Sequence, residues 1–341
     1  MNDQDARRVI ENWIAIQRYS LTVGNLIGGI IDDMLRELRG LIGAENAPQQ
    51  IADVVRRYFF LIRSTMTQEQ IAAAERLVIV EAAALGAGSA TPRITKALVD
   101  RALSRVMPAQ QASVMDLYRS TFGTVETRAK AIFKRATDEG LTLPQVRQEI
   151  ATLGDYTKRA MDGFARTSIN AVSNQAKAEM YQANADITDR YIWLSMFDSR
   201  TSEICQALDG KIFKQGQGPM PPMHRNCRSH TAAILTDETN EQARRRLSPR
   251  PSVVPTEKYE RGDNKTRTGR PRKARRGSQL EGAPSTARNY ETWLRQQPAA
   301  YARDILGDKG YEALKGGKSL EAILRERTTA LDRIGLEKAL N

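Results

Sequence analysis

Only two cysteines and two histidines occur in this 341-residue chain. Two cysteines are too few for a disulfide framework, and nothing marks the chain as secreted. Synthesis in a reducing cytosol is expected. No run of 18 apolar residues occurs, so no membrane span is expected. The opening MNDQDARR is polar, unlike a signal peptide. Internal repeats are absent. Acidic residues are in deficit: 40 Asp and Glu against 52 Lys and Arg leave a net charge of +12 and a pI near 9.8. Such a balance favours polyanionic or acidic partners, nucleic acid first, although a basic protein that only stays soluble has the same balance.

What is present is mostly helical pattern. Val23, Leu26, Ile27, Ile30, Ile31, Met34, Leu35, Leu38, Leu41 and Ile42 recur at three- and four-residue steps, so residues 3–42 read as one helix. Gly24 and Gly28 form a small-xxx-small pair, which points to close helix packing. A helix is expected over 48–64 and another, behind a Thr67/Gln70 capping box, up to Leu85. Thr91 and Pro92 are expected to start a helix reaching residue 106. Helices over 108–138, closed by Gly140, over 142–154, ended by Gly154, and over 156–185 complete the series. The period then changes to two. Tyr191, Trp193 and Ser195 alternate with Ile192, Leu194 and Met196, the pattern of a strand buried on both faces. A short helix over 199–208, a strand over 211–214 and a strand over 229–235 follow. The fold class expected is mainly α, in four parts. These are a helical N-terminal array (1–155), a small α+β unit (156–240), a basic flexible linker (241–287) and a helical C-terminal unit (288–341).

The charge is concentrated. Residues 261–276 carry Arg261, Lys265, Arg267, Arg270, Arg272, Lys273, Arg275 and Arg276 against Asp263 alone, +7 of the total +12. A stretch so poor in apolar side chains cannot offset its ordering entropy and is expected to be disordered unless bound. Its fitting partner is the phosphate backbone of double-stranded DNA, without sequence preference. Gly269–Arg272 also has the composition of a minor-groove hook.

All four Cys and His fall between Cys205 and His230. Thiolate and imidazole are the usual zinc ligands, and His224–Arg–Asn–Cys227 places two of them one turn apart. Cys205 is a third ligand; His230 or Asp198 are the protein candidates for a fourth. There is no CxxC. The same residues would equally serve as buried small side chains with a satisfied histidine. A catalytic Cys/His pair oriented by Asp198 or Asp209 is a further reading, although no oxyanion-hole pattern accompanies it. Asp198 is placed to cap the following helix, and Arg166 and Thr167 to pair across the unit with Asp198, Arg200 and Thr201.

Four motifs stand in series here: ARTS (Ala165 to Ser168), the run from Trp193 through DSRTS to Cys205, LDGKIF (Leu208 to Phe213) and PPMHRNCRS (Pro221 to Ser229). In order and spacing they resemble the Mu-F-type domain of tailed-phage minor head proteins, the head-morphogenesis family. The run from Tyr290 to Gly307, and more weakly that from Gly310 to Leu324, resembles the tail region of its members. The resemblance marks Arg166, Thr167, Trp193, Asp198, Arg200, Thr201, Gly210 and Arg228 as motif positions. Some relatives carry cysteines where Ser202 and Ser229 stand, completing a zinc site that this chain holds only as Cys205, His224 and Cys227. The resemblance implies a structural virion protein, not an enzyme. It would be made in the host bacterial cytoplasm and sit inside the capsid at the portal vertex. There it would touch portal or major capsid protein and packaged DNA, in several copies, and assist packaging or ejection. Two alternatives remain: a metal-dependent hydrolase or nuclease using Cys205, His224 and Cys227, and a free basic DNA-binding protein.

Overall fold

The computed structural model describes residues 3–44, 46–86, 89–248, 250–252 and 284–327. Its architecture is mainly α with a small α+β core. Three long helices set the frame: α1 (Asp3–Gly40), α2 (Ala47–Leu85) and α5 (Leu143–Ala183). Between them lie α3 (Lys96–Ser104), a two-residue hairpin of β1 (Val106–Met107) and β2 (Ala112–Ser113), and α4 (Val114–Asp138). The apolar stripe of α1 packs Val23, Ile27, Ile31, Met34 and Leu38 against Ile51, Val55, Phe59 and Ile62 of α2 and Met161 and Ile169 of α5 in one core.

Two expected breaks are absent, each for a packing reason. Helix α5 runs unbroken through Gly154, because that glycine is a contact point. A Cβ there would come within 2.3 Å of Leu35 Cδ1. A boundary at residue 155 therefore falls inside one helix. Helix α2 likewise runs through Thr67, whose hydroxyl donates back to the Arg63 carbonyl instead of capping. Two helix starts also shift. The α3 cap is Thr95, accepting from Leu98 N, and that of α4 is Ser113, in a capping box with Asp116. Of the paired glycines in α1, Gly24 is packed, with Asp162 Oδ1 2.8 Å from where its Cβ would lie, and Gly28 faces open space.

The sheet is antiparallel with order β4–β3–β5, formed by Ile212–Lys214, Thr188–Leu194 and His230–Leu235. Tyr191 pairs with Phe213 and Ala233, and Trp193 with Thr231. Both faces of β3 are covered, as its pattern predicts. Tyr191 joins the helical core, Trp193 a second core, and Ile192 and Leu194 a third with Val9 and Trp13 of α1. Helix α6 (Glu203–Leu208) follows β3, and α7 (Asn240–Arg246) follows β5. Two-residue strands β6 (Arg250–Pro251) and β7 (Pro284–Ser285) pair with each other. Helices α8 (Tyr290–Arg295), α9 (Ala299–Lys315) and α10 (Leu320–Arg327) close the described chain.

These last helices do not stand apart. Tyr290, Trp293, Leu294, Tyr301 and Leu306 share one core with Trp193, Phe197, Cys205, Leu208 and Cys227. Trp293 stacks on Phe197 with ring centroids 5.6 Å apart. None of the described helices is long and apolar enough to cross a membrane.

Candidate metal centre and its polar frame

The turn after β3 is built by side chains that replace a regular ladder. Ser195 Oγ accepts from Trp193 Nε1 at 3.0 Å and donates to the Cys205 carbonyl at 2.9 Å, fixing α6 beneath the strand. Asp198 does not cap α6; Ser202 does, accepting from Cys205 N. Asp198 instead grips Arg228 through both oxygens and accepts from Arg200 N and Thr201 Oγ1. Burial raises the cost of its charge, but Arg228 outweighs that and holds the carboxyl below the ordinary carboxylate range. Gly210 needs its left-handed conformation (φ +78°) to turn the chain into β4, and its N–H returns to the Trp193 carbonyl at 2.9 Å.

Arg166 and Thr167 reach a different partner from the one expected. Thr167 Oγ1 accepts from Asn226 N at 2.9 Å, and Arg166 donates to Asn226 Oδ1 at 3.4 Å while pairing with Asp162. They hold the HRNC loop, not the Asp198 turn. Asn170 of the same helix donates to the Cys227 carbonyl at 2.7 Å. Asn226 sits at φ +60°, a conformation asparagine tolerates.

The loop so held brings Cys205, His224 and Cys227 together, with ligand atoms within 4.8 Å of one another. Cys205 Sγ lies 3.8 Å from Cys227 Sγ and 3.2 Å from His224 Nε2. A tetrahedral zinc with sulfur at ~2.3 Å separates two thiolates by ~3.8 Å, so the sulfur pair fits one edge of such a site. His224 Nδ1 donates to the Arg225 carbonyl at 2.8 Å, which leaves Nε2 as the nitrogen that could hold a metal. No fourth described His, Cys, Asp or Glu joins them. The Ser202 and Ser229 hydroxyls bond to Cys205 instead. Burial, then Cys227, pushes the Cys205 thiol up. Burial opposes ionisation of Cys227 too, but Cys205 and His224 outweigh it and lower its pKa. Both cysteines are 1% exposed, which gives a substrate no path to either sulfur.

The two further ligand candidates are engaged elsewhere: Asp198 with Arg228, and His230 in a cluster beneath α1. His230 stacks on Trp13, with centroids 5.2 Å apart, and accepts at Nε2 from Lys177 Nζ at 2.6 Å. Lys177 pairs with Glu81 at 2.7 Å, and all three are buried. Burial, and then the Lys177 charge, lower the His230 pKa to about 4; burial lowers Lys177 to about 8 despite Glu81. Sequence patterning gave no sign of Glu81 or Lys177, since a single charged residue in a helix reads as part of a solvated face. Asp209 does not orient His224 either. It accepts from Ser195 N, Tyr290 N and Arg250, joining β3 to both ends of the undescribed stretch 253–283. The eight basic residues expected to bind DNA, Arg261 to Arg276, lie outside the described residues.

A family model described as Phage Mu protein F like protein matches residues 124–232, from within α4 to within β5. Residues 124–232 form a Mu-F-type domain. The match takes in the three-ligand cluster, the Asp198–Arg228 pair and the α5 side chains that hold the HRNC loop. No curated protein and no solved structure matches the chain. The Mu-F-type domain is a phage head-morphogenesis module, and its core here extends beyond the matched residues into α8 and α9.

Proposed function

We propose that this chain is a minor head protein of a tailed phage. It is a structural virion component bound at the portal vertex inside the capsid, and its helical N-terminal part makes the dock. The basic residues 261–276 lie against packaged DNA and assist its packaging or ejection. The observation that carries this reading is the Mu-F-type match laid over a polar frame whose strongest interactions tie segments of the chain to one another. In the same reading Cys205, His224 and Cys227 hold a zinc ion as a staple. The metal would supply cross-linking of α6 to the HRNC loop and no reaction step.

The deciding experiment is co-purification with the cognate portal protein, together with quantitative mass spectrometry of purified virions. A fixed low copy number per particle and a portal complex are expected. Absence from the particle at every assembly stage would overturn the reading. A free DNA-binding protein would bind DNA but fail to retain portal.

A further inference from the structure

Helices α4 and α5 form an antiparallel pair with a groove of about 430 Å³ between them, lined among others by Arg128, Arg135, Glu149, Tyr156 and Arg159. The Arg128 guanidinium sits 4.4 Å above the Tyr156 ring, which pre-orders it at little further entropic cost. Arg135 pairs with Glu149, the single carboxylate of the lining. Arg128 and Arg159 make no ion pair with any described residue. Arg225 pairs with no carboxylate among the described residues; it donates to the Ala160 carbonyl at 3.0 Å beside Arg159.

The groove continues along α4 as a shallow depression lined by Ser120, Gly123, Thr124, Thr127 and Arg128. Gly123 faces open space there. From Ser120 to Arg135 the helix rises ~22 Å, about six base-pair steps of duplex. Guanidinium groups and hydroxyls are the usual partners of phosphate oxygens; Thr124 already donates to the Ser120 carbonyl at 2.8 Å, which leaves Ser120 and Thr127 as the hydroxyls of the depression that can serve. An acidic amphipathic helix would instead need an exposed apolar floor. Here Ile132 and Leu153 are 6% and 4% exposed, and the one large apolar surface of the lining, the Tyr156 ring, is already covered by the Arg128 guanidinium.

We infer that the α4–α5 groove is a second, ordered docking surface for the phosphate backbone of double-stranded DNA, separate from residues 261–276. The inference rests on the reading that the chain contacts DNA. It adds that a rigid face of the fold fixes how the molecule lies against the duplex.

The test uses the full chain, an R128A/R159A double variant, an R128K/R159K variant, and a chain with 253–283 replaced by a short Gly/Ser linker. Binding to a random-sequence 30-base-pair duplex is followed by fluorescence anisotropy between 50 and 200 mM salt. The alanine variant is expected to reduce the slope of log K against log salt by about 2, and the lysine variant to restore it. The linker variant is expected to keep weak binding, and adding R128A/R159A to it is expected to abolish that binding. An unchanged slope in the alanine variant overturns the groove and leaves the basic segment standing. No binding by the full chain overturns both. Poly-glutamate that competes as well as DNA at equal charge overturns the assignment to phosphate.

Discussion

The ion pairs inside this molecule differ in what their loss does. Asp198 is buried and Arg228 half-buried beside it, and removing the arginine leaves a carboxylate inside the core with the Arg200 N and Thr201 Oγ1 donors and the more distant Arg200 charge. Arg228→Ala is expected to destabilise by about 3–5 kcal/mol, checked by urea unfolding. A double replacement by apolar residues of similar size should cost far less, because no charge then remains to be desolvated. His230 gives a pH signature. Its folded pKa of about 4 lies below the ordinary value of 6.5. Above pH 6.5 both folded and unfolded states are neutral and its contribution is complete. Between pH 6.5 and 4 the unfolded state takes up the proton first, so stability falls as pH falls. The loss approaches roughly 3 kcal/mol, and thermal unfolding of a His230→Gln variant is expected to show a flatter profile over that window. At the three-ligand cluster, metal analysis of the purified chain is expected to find about one zinc per chain, lost in Cys205→Ser. A metal-free protein of unchanged stability would leave a bare dithiol core. The cluster's composition was legible because Cys and His are scarce and crowd one stretch. Its exclusion of His230 was not. That depends on which side of β5 meets α1, and spacing along one strand does not report contacts with a helix more than 200 residues earlier.

Among the elements, glycine was the residue most easily misread. A glycine near the end of an apolar pattern reads as a stop, yet Gly154 lies inside α5 where Leu35 of α1 approaches. Sequence periodicity sees the α5 stripe on both sides of it but not the helix that presses there. Gly154→Val is therefore expected to destabilise by about 2 kcal/mol through overpacking and β-branching. Gly28→Ala has open space and helical backbone, so it is expected to stabilise by up to about 1 kcal/mol. The two variants measured together by denaturant unfolding separate a packing glycine from a spare one; equal effects would show that the close approach carries no energetic weight. The three strands of the central sheet were legible, and the two-residue strands β1, β2, β6 and β7 were not, because two residues carry no period. A run apolar on both faces must be covered on both faces, and β3 is. Helix starts shifted because several Ser and Thr compete as caps, and tertiary packing selects among them.

At the scale of the whole molecule, the stretch 253–283 begins and ends at one place. Arg250 and Pro251 pair with Ser285 and Pro284, and Asp209 binds both Arg250 and the Tyr290 N–H. Past that point, α8 and α9 supply Tyr290, Trp293, Leu294 and Tyr301 to the core that holds Trp193, Phe197 and Cys205. A composition shift between two helical regions reads as a linker joining separate units, because charge density says nothing about where the two ends of a segment meet. The pairing of β6 with β7 brings the residues on either side of the stretch together, and a joined base and a separating linker predict opposite deletion behaviour. Replacing 253–283 by a short Gly/Ser connection should leave urea-unfolding stability unchanged or higher by about 1 kcal/mol, since a shorter loop costs less to close. Ending the chain at Ser252 should instead uncover Trp193 and Phe197 and remove Tyr290 N from Asp209. That leaves a charged, buried group short of a partner and an apolar face in water, and the expected product is aggregated or unfolded by circular dichroism. If the truncated chain folds with native Trp193 fluorescence, the C-terminal helices are an independent unit and the shared core contributes little. If the loop replacement unfolds the protein, the base formed by β6, β7 and Asp209 does not hold without the residues it encloses.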